Sequence, residues 1–216
     1  MSSSLNPSPL YAICDADVSA RAGWALVDLA QACLDGGARL LQIRAKGAEA
    51  GWLLDTARAI VARASACEGA QVIVNDRADI ARLSGAHGIH VGQEDLAPAL
   101  VRAQLGDKIV VGVSTHTPEE LTAVLREPVS YVAIGPVFPT GTKDTGYDSV
   151  GLERVRQVAA VASRHGLPVV AIGGITLDRA LDVIQAGAQS VAIISDLLVT
   201  GDPAGRVRDY LRRLTI

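Results

Sequence analysis

A single (β/α)8 TIM barrel, an α/β fold, is predicted for this 216-residue chain by three features. Short β-branched runs alternate with longer Ala-rich amphipathic segments from residue 10 onward. The strand-like runs are apolar throughout, as strands of a parallel sheet covered on its outside must be. Small residues recur between a helix end and the next strand in "GGARLLQ", "SGAHGIH" and "AGAQSVA", which marks one βα unit repeated. Eight such units in about this length fit a closed barrel better than an open doubly wound sheet.

The expected strands are 10–14, 39–44, 71–75, 88–91, 108–113, 130–135, 168–173 and 190–195. Helices are expected near 21–35, 50–66, 77–84, 95–104, 117–126, 150–164, 176–186 and 203–214. The clearest helix start is "TPEELTAVL", with Thr as the cap, Pro in the first position and Glu in the third. No Gly/Ser-rich or Pro-rich linker divides the chain, so residues 10–216 read as one catalytic barrel domain behind a flexible N-terminal segment, 1–9.

Composition narrows the class further. Apolar residues make up 49% of the chain and aromatics only 3%, so Ala, Val, Ile and Leu should build the core. A net charge of -3 supplies no basic field and argues against nucleic acid as a partner. Cys14, Cys33 and Cys67 form no C-x-x-C or Cys/His cluster, as expected of free thiols in a reducing compartment. "MSSSLNPSPL" lacks the regions of a signal peptide, and no apolar run reaches the roughly 18 residues of a membrane span. A cytoplasmic protein without membrane contact is the expectation. Ala and Leu on the outer helix faces suit packing within or between subunits, so a homo-oligomer is compatible with the sequence.

Barrel enzymes carry their active sites on the loops at the C-terminal ends of the strands, and the polar residues of this chain gather there. The second strand ends in "QIRAK". Alternation along an extended chain puts Gln42, Arg44 and Lys46 on one face, a planar fork and a mobile point charge suited to phosphate oxygens. Solvated rim residues are the plain alternative. After the third and fourth strands come Asp76 in "NDRADI" and Asp95 in "QEDLAPAL". Each reads as an N-cap of the following helix. Taken together on adjacent strands, they also read as a carboxylate pair for Mg2+ at a diphosphate. Glu94 should point away from its neighbours.

The fifth strand runs into "GVSTHT", placing Ser114 and His116 near the mouth, but Ser114 has no visible base and no Ser/His/Asp spacing supports a hydrolase. His90 reads as a satisfied wall residue, and His87 and His165 as structural or exposed. The long sixth loop, 136–149, is rich in Gly, Thr and Pro, and carries Thr140, Thr142 and Lys143 as phosphate donors; it reads as a lid or as a plain solvent loop. "IGGIT" and "IIS" close the seventh and eighth strands, where backbone N–H groups commonly meet a phosphate; Gly173 and Gly174 allow close approach and Ser195 adds a hydroxyl.

The set "QIRAK", "VNDR", "GIHVGQED", "GVSTHT", "GPVFPTGTKD", "AIGGI" and "AIIS", in order from about residue 10 to residue 203, resembles the thiamine phosphate synthase family. That resemblance implies a transferase barrel joining a pyrimidine diphosphate to a thiazole phosphate, with Mg2+ as cofactor and diphosphate as the second product. It implies that Gln42, Arg44, Lys46, Asn75, Ser114 and Lys143 bind the pyrimidine diphosphate. Thr140, Gly141, Thr142, Gly174, Ile194 and Ser195 would hold the thiazole phosphate, and Asp76 and Asp95 the metal. Rival expectations are a thiazole tautomerase-like barrel, a phosphate-sugar isomerase or indole-type synthase, and a non-catalytic binder of thiamine precursors.

Overall fold

The computed structural model describes Leu5, residues 8–141 and residues 147–215. Eight strands, β1 (Leu10–Asp15), β2 (Leu40–Arg44), β3 (Gln71–Asn75), β4 (Gly88–Val91), β5 (Val110–Thr115), β6 (Tyr131–Ile134), β7 (Val169–Ile172) and β8 (Ser190–Ile193), lie where the apolar runs place them. All are parallel, and they close in chain order, β8 pairing back onto β1. Around them run α1 (Ala16–Arg21), α2 (Leu26–Asp35), α3 (Ala50–Ser65), α4 (Ala78–Ser84), α5 (Pro98–Leu105), α6 (Pro118–Val124), α7 (Gly151–Ser163), α8 (Leu177–Gln185) and α9 (Pro203–Leu214).

The helix after β1 differs from expectation. Asp15 ends the strand and its carboxylate accepts the Val18 N–H at 3.0 Å, nucleating the extra helix α1 before α2 begins. The start of α6 is as expected: Thr117 and Glu120 form a reciprocal capping box around Pro118. Two expected starts move inward, because α4 is capped by Arg77 and α5 by Ala97, neither through a side chain.

Period-two alternation divides the strands between two apolar regions, except β4, whose Ile89 and Val91 join only the outer one. In β1, Leu10, Ala12 and Cys14 face the helices, while Tyr11 and Ile13 join Leu40, Ile73, Val110 and Tyr131 inside the barrel. Aliphatic side chains dominate both regions, yet Tyr11 and Tyr131 are among the largest fully buried groups. Gly112 makes room for one of them: a Cβ there would lie 1.9 Å from Tyr131 Cζ. Leu5, ahead of β1, packs into the interior cluster. At the opposite end of the barrel from the expected site, the buried Arg102 donates to the carbonyls of Pro128, Asp107 and Ile109 and to Ser130 Oγ, tying together the entries to β5 and β6. Among the described residues no helix is long and apolar enough to cross a membrane.

Candidate active site

Five charged side chains meet where β1, β2, β3 and β4 end. Register places Asp15 beside Arg44, and the two form a close ion pair, both side chains nearly buried at 4% and 12% exposure. Arg44 Nε is buried with no hydrogen-bond partner among the described residues. A charged fork with one orphaned donor is a cradle for an oxyanion. Lys46, over half exposed, reaches Asp76 Oδ2 at 3.4 Å.

Asp76 is the one non-glycine residue among those described with a left-handed backbone, φ 62°. Its N–H donates to His90 O at 2.8 Å, and Arg77 N donates to Asn75 O at 2.7 Å, which holds this sharp turn. Such a conformation costs an L-residue about 1 kcal/mol or more and concentrates at functional sites. Burial raises the Asp76 carboxyl above the usual range; the charge of Asp95 and a hydrogen bond shared with it raise it further, while Lys46 opposes both. The N-cap readings of Asp76 and Asp95 are corrected here. Asp76 turns toward Asp95 instead of capping α4, and Asp95 accepts the Gly92 N–H at 2.7 Å, bracing its own loop.

Two convergent carboxylates suit a hard divalent cation, although no third His, Cys, Asp or Glu joins them among the described residues. Such an ion completes its shell with water and phosphate oxygens. Mg2+ fits this donor set. Gln93, next to the pair, donates instead to Ser114 O at 2.6 Å.

At the barrel mouth opens a mainly apolar cavity of about 70 Å³. Gln42 and Ser114 line it, with Ala133, Ile172 and Ile194 among its apolar walls. Asn75 is buried at the end of β3, opposite His90 in register. His90 is satisfied, as expected, but its partners were not foreseen: Tyr131 Oη at Nδ1 and Ser114 Oγ at Nε2, each at 2.8 Å. The expectation that Ser114 lacks a basic neighbour is therefore overturned. His116 also lines the cavity; its Nδ1 lies 2.6 Å from Gly135 O and its ring stacks on Tyr147 at 4.1 Å.

A second cleft adjoins the first and shares Thr140, Ile172, Gly173, Ala192 and Ile194 with it. Thr140, Gly141, Gly174, Ile194 and Ser195 all line it, so every described member of the expected thiazole phosphate set is gathered in one place. Gly174 has φ +61°, and a Cβ would lie 2.5 Å from Pro139 O, so only glycine lets the two loops approach so closely. Phe138 N donates to Gly173 O at 3.0 Å, binding the same loops. Thr142 and Lys143 lie outside the described residues.

Sequence reasoning missed two residues here. Asp15, the partner of Arg44, stands one residue beyond the expected first strand, at the same strand-end position as the other polar groups. Arg179 on α8 lines the second cleft, donates to Gly174 O at 3.3 Å and lies 4.9 Å over the Phe138 ring. Nothing in its local pattern distinguishes it from a solvated helix residue. Asp196, also at the cleft, is engaged by Arg206 at 2.6 Å and Tyr210 at 2.5 Å.

The sequence profile of the family described as thiamine monophosphate synthase matches residues 10–197. The thiamine-phosphate synthase of Koribacter versatilis is 44% identical over 216 residues, covering 99% of each chain. That of Azorhizobium caulinodans is 38% identical over 193 residues, 89% of this chain and 88% of its own. Among solved structures, thiamine phosphate pyrophosphorylase from Pyrococcus furiosus is similar with a TM-score of 0.87 at 26% identity, over 97% of this chain and 96% of that one.

Proposed function

The chain belongs to the thiamine monophosphate synthase family, and from that premise we propose how its residues carry the reaction. It is a thiamine phosphate synthase, a transferase. It condenses 4-amino-2-methyl-5-hydroxymethylpyrimidine diphosphate with 4-methyl-5-(2-hydroxyethyl)thiazole phosphate to give thiamine phosphate and diphosphate. The observation that carries the assignment of roles is the corner itself: the left-handed Asp76 against Asp95, with Lys46 and the orphaned Nε of Arg44 beside them.

In this reading Arg44 and Lys46, with Lys143 from the sixth loop, receive the diphosphate, and Asp76 and Asp95 hold Mg2+. When bound, Mg2+ supplies positive charge to the leaving oxygens. The bond between the pyrimidine methylene carbon and the diphosphate oxygen breaks, its electron pair leaving with oxygen, and the ring amino group delocalises the resulting cation. The thiazole nitrogen then donates its lone pair to that carbon, forming the new C–N bond. Gln42, Asn75 and Ser114 hold the pyrimidine; Ala133, Ile172 and Ile194 keep water from the cation. Thr140, Gly141, Thr142, Gly174, Ile194 and Ser195 hold the thiazole phosphate in line. No covalent nucleophile or triad is required, since charge stabilisation and alignment suffice.

A cytoplasmic setting with small-molecule partners belongs to the same proposal and is supported by three free cysteines, two of them buried. The test is direct. Purified protein given both precursors and Mg2+ should release diphosphate and form thiamine phosphate, and a chelator should stop it. Absence of product at saturation refutes the assignment. Asp76→Ala and Asp95→Ala should each abolish turnover with the fold retained. Loss of only about 1 kcal/mol of stability from each, with turnover kept, is the result expected of helix caps, and it would remove the metal assignment.

A further inference from the structure

A continuous chain of hydrogen bonds crosses the barrel interior and joins two residues assigned above to the pyrimidine. Gln42 Nε2 donates to Tyr11 Oη at 2.9 Å, and Tyr11 Oη lies 3.1 Å from Tyr131 Oη. Tyr131 Oη lies 2.8 Å from His90 Nδ1, and His90 Nε2 lies 2.8 Å from Ser114 Oγ. The rings are held by packing: Tyr11 meets Tyr131 edge-on at 6.2 Å, and His90 stacks on Tyr131 at 5.6 Å. Gly112, lying between His90 and Tyr131 in register, leaves room for the phenol.

With His90 neutral, each inner member has one proton to give and one lone pair to offer along the chain, so the chain has only two self-consistent directions. Both phenols stay neutral, because burial raises them well above their ordinary range. Tyr11 therefore passes its proton to Tyr131 only if Gln42 donates at the head. Tyr131 then donates to His90 Nδ1, His90 carries its proton on Nε2, and Ser114 Oγ accepts it. In the opposite direction every donor becomes an acceptor, and Gln42 must present its amide nitrogen to the cavity. A satisfied buried polar chain rigidifies the core around it, and this one ends on two residues that line the cavity.

We propose that this five-residue chain runs from Gln42 to Ser114 and sets the hydrogen-bonding polarity of the pyrimidine site, with Tyr11, Tyr131 and His90 as positioning residues. It leaves Gln42 Oε1, which has no partner among the described residues, as an acceptor. It leaves the Ser114 hydroxyl proton as a donor. An aminopyrimidine diphosphate needs that pattern: its amino N–H requires an acceptor, and its ring nitrogens and phosphate oxygens can only accept. The reversed chain would offer a donor to the amino group and a lone pair to an anion. The inference rests on the assignment of Gln42 and Ser114 to the pyrimidine, but its central element is a property of the free protein.

Nitrogen-15 NMR of the ligand-free wild-type protein reads that property. His90 should be protonated at Nε2 and bare at Nδ1; a proton on Nδ1 overturns the proposal, whether or not the protein makes thiamine phosphate. Kinetics give the second arm. Tyr131→Phe removes the donor to Nδ1 and should lower kcat/KM for the pyrimidine diphosphate about tenfold, with KM for the thiazole phosphate unchanged. In a Ser114→Ala background the same substitution should have a clearly smaller effect, because only the Gln42 end of the chain is then left to orient. Independent, multiplying losses would show that the chain does not act through Ser114. If the wild-type protein forms no product at all, the functional assignment fails, while the NMR result still decides the direction of the chain.

Discussion

Replacing Asp76 with glycine should stabilise the metal-free protein while abolishing its activity. The backbone at this position has φ 62°, a conformation that costs a residue bearing a Cβ about 1–2 kcal/mol and glycine almost nothing. Glycine gives back about 0.5–1 kcal/mol of that through the greater freedom of the unfolded chain. The Lys46 contact is lost too, but with Lys46 58% exposed it contributes at most a few tenths of a kcal/mol. Removing a half-buried carboxylate that faces Asp95 adds stability in the same direction as the strain relief. The net expectation is a gain of about 0.5–1 kcal/mol, a rise of about 1–4 °C in Tm for a chain of this size. Urea denaturation followed by circular dichroism in the presence of a chelator measures it. Adding Mg2+ with inorganic diphosphate should raise the wild-type midpoint and leave that of the variant unmoved. The pH dependence follows from the same group. Its folded pKa is raised, so its stabilising contribution is present below the ordinary carboxylate pKa and is lost as pH rises through the raised value. Asp76→Asn should remove that fall. A destabilised Asp76→Gly protein, or an active one, would refute the view that strain and like charge are maintained here for metal binding.

Asp15→Asn should keep the α1 cap, since an amide oxygen can still accept from Val18 N. It leaves Arg44 buried without its counter-charge, a loss of about 3 kcal/mol in chemical denaturation that added inorganic diphosphate should partly restore. Gly112→Ala drives a methyl to within 1.9 Å of Tyr131 Cζ; displacement of that packed ring should cost about 3 kcal/mol, again read as a lowered denaturation midpoint. Arg102→Met leaves the carbonyls of Pro128, Asp107 and Ile109 without their donor and should lower stability by about 3 kcal/mol, with KM for both substrates unchanged.

The strands were legible because each carries its own apolar period, and the site was legible where single loops end single strands. Thr140, Gly174 and Ser195 were read from their loops for that reason, whereas Gly141 and Ile194 came only with the family resemblance; all five line one cleft. What escaped depends on register between strands. Nothing local to "YAICD" says that Asp15 will face Arg44, and nothing in "GIHV" says that His90 will stand between Tyr131 and Ser114. The helix-cap readings failed for a related reason. An Asp before a helix has a local use for its oxygen, and only the meeting of β3 and β4 offers Asp76 a different one. Scarce aromatics were a usable sign: in a barrel lined with aliphatics, Tyr11 and Tyr131 have hydroxyls that need partners inside.

The mouth is divided by charge. Asp15, Arg44, Lys46, Asp76 and Asp95 all come from the ends of β1 to β4, whereas the cleft between β6, β7 and β8 offers mostly backbone, hydroxyl and glycine, with Arg179 and the Arg206-paired Asp196 as its charged groups among the described residues. Both substrates are anions, and bringing them to one point would set phosphate against phosphate. In the proposed assignment one anion lies in the ionic corner and the other in a cleft of hydroxyls, backbone and Arg179, which keeps their charges on opposite sides of the shared wall. The reacting carbon and nitrogen can then meet over Ile172, Ala192 and Ile194, which line both cavities. An apolar wall at that point offers no lone pair that would trap the cation.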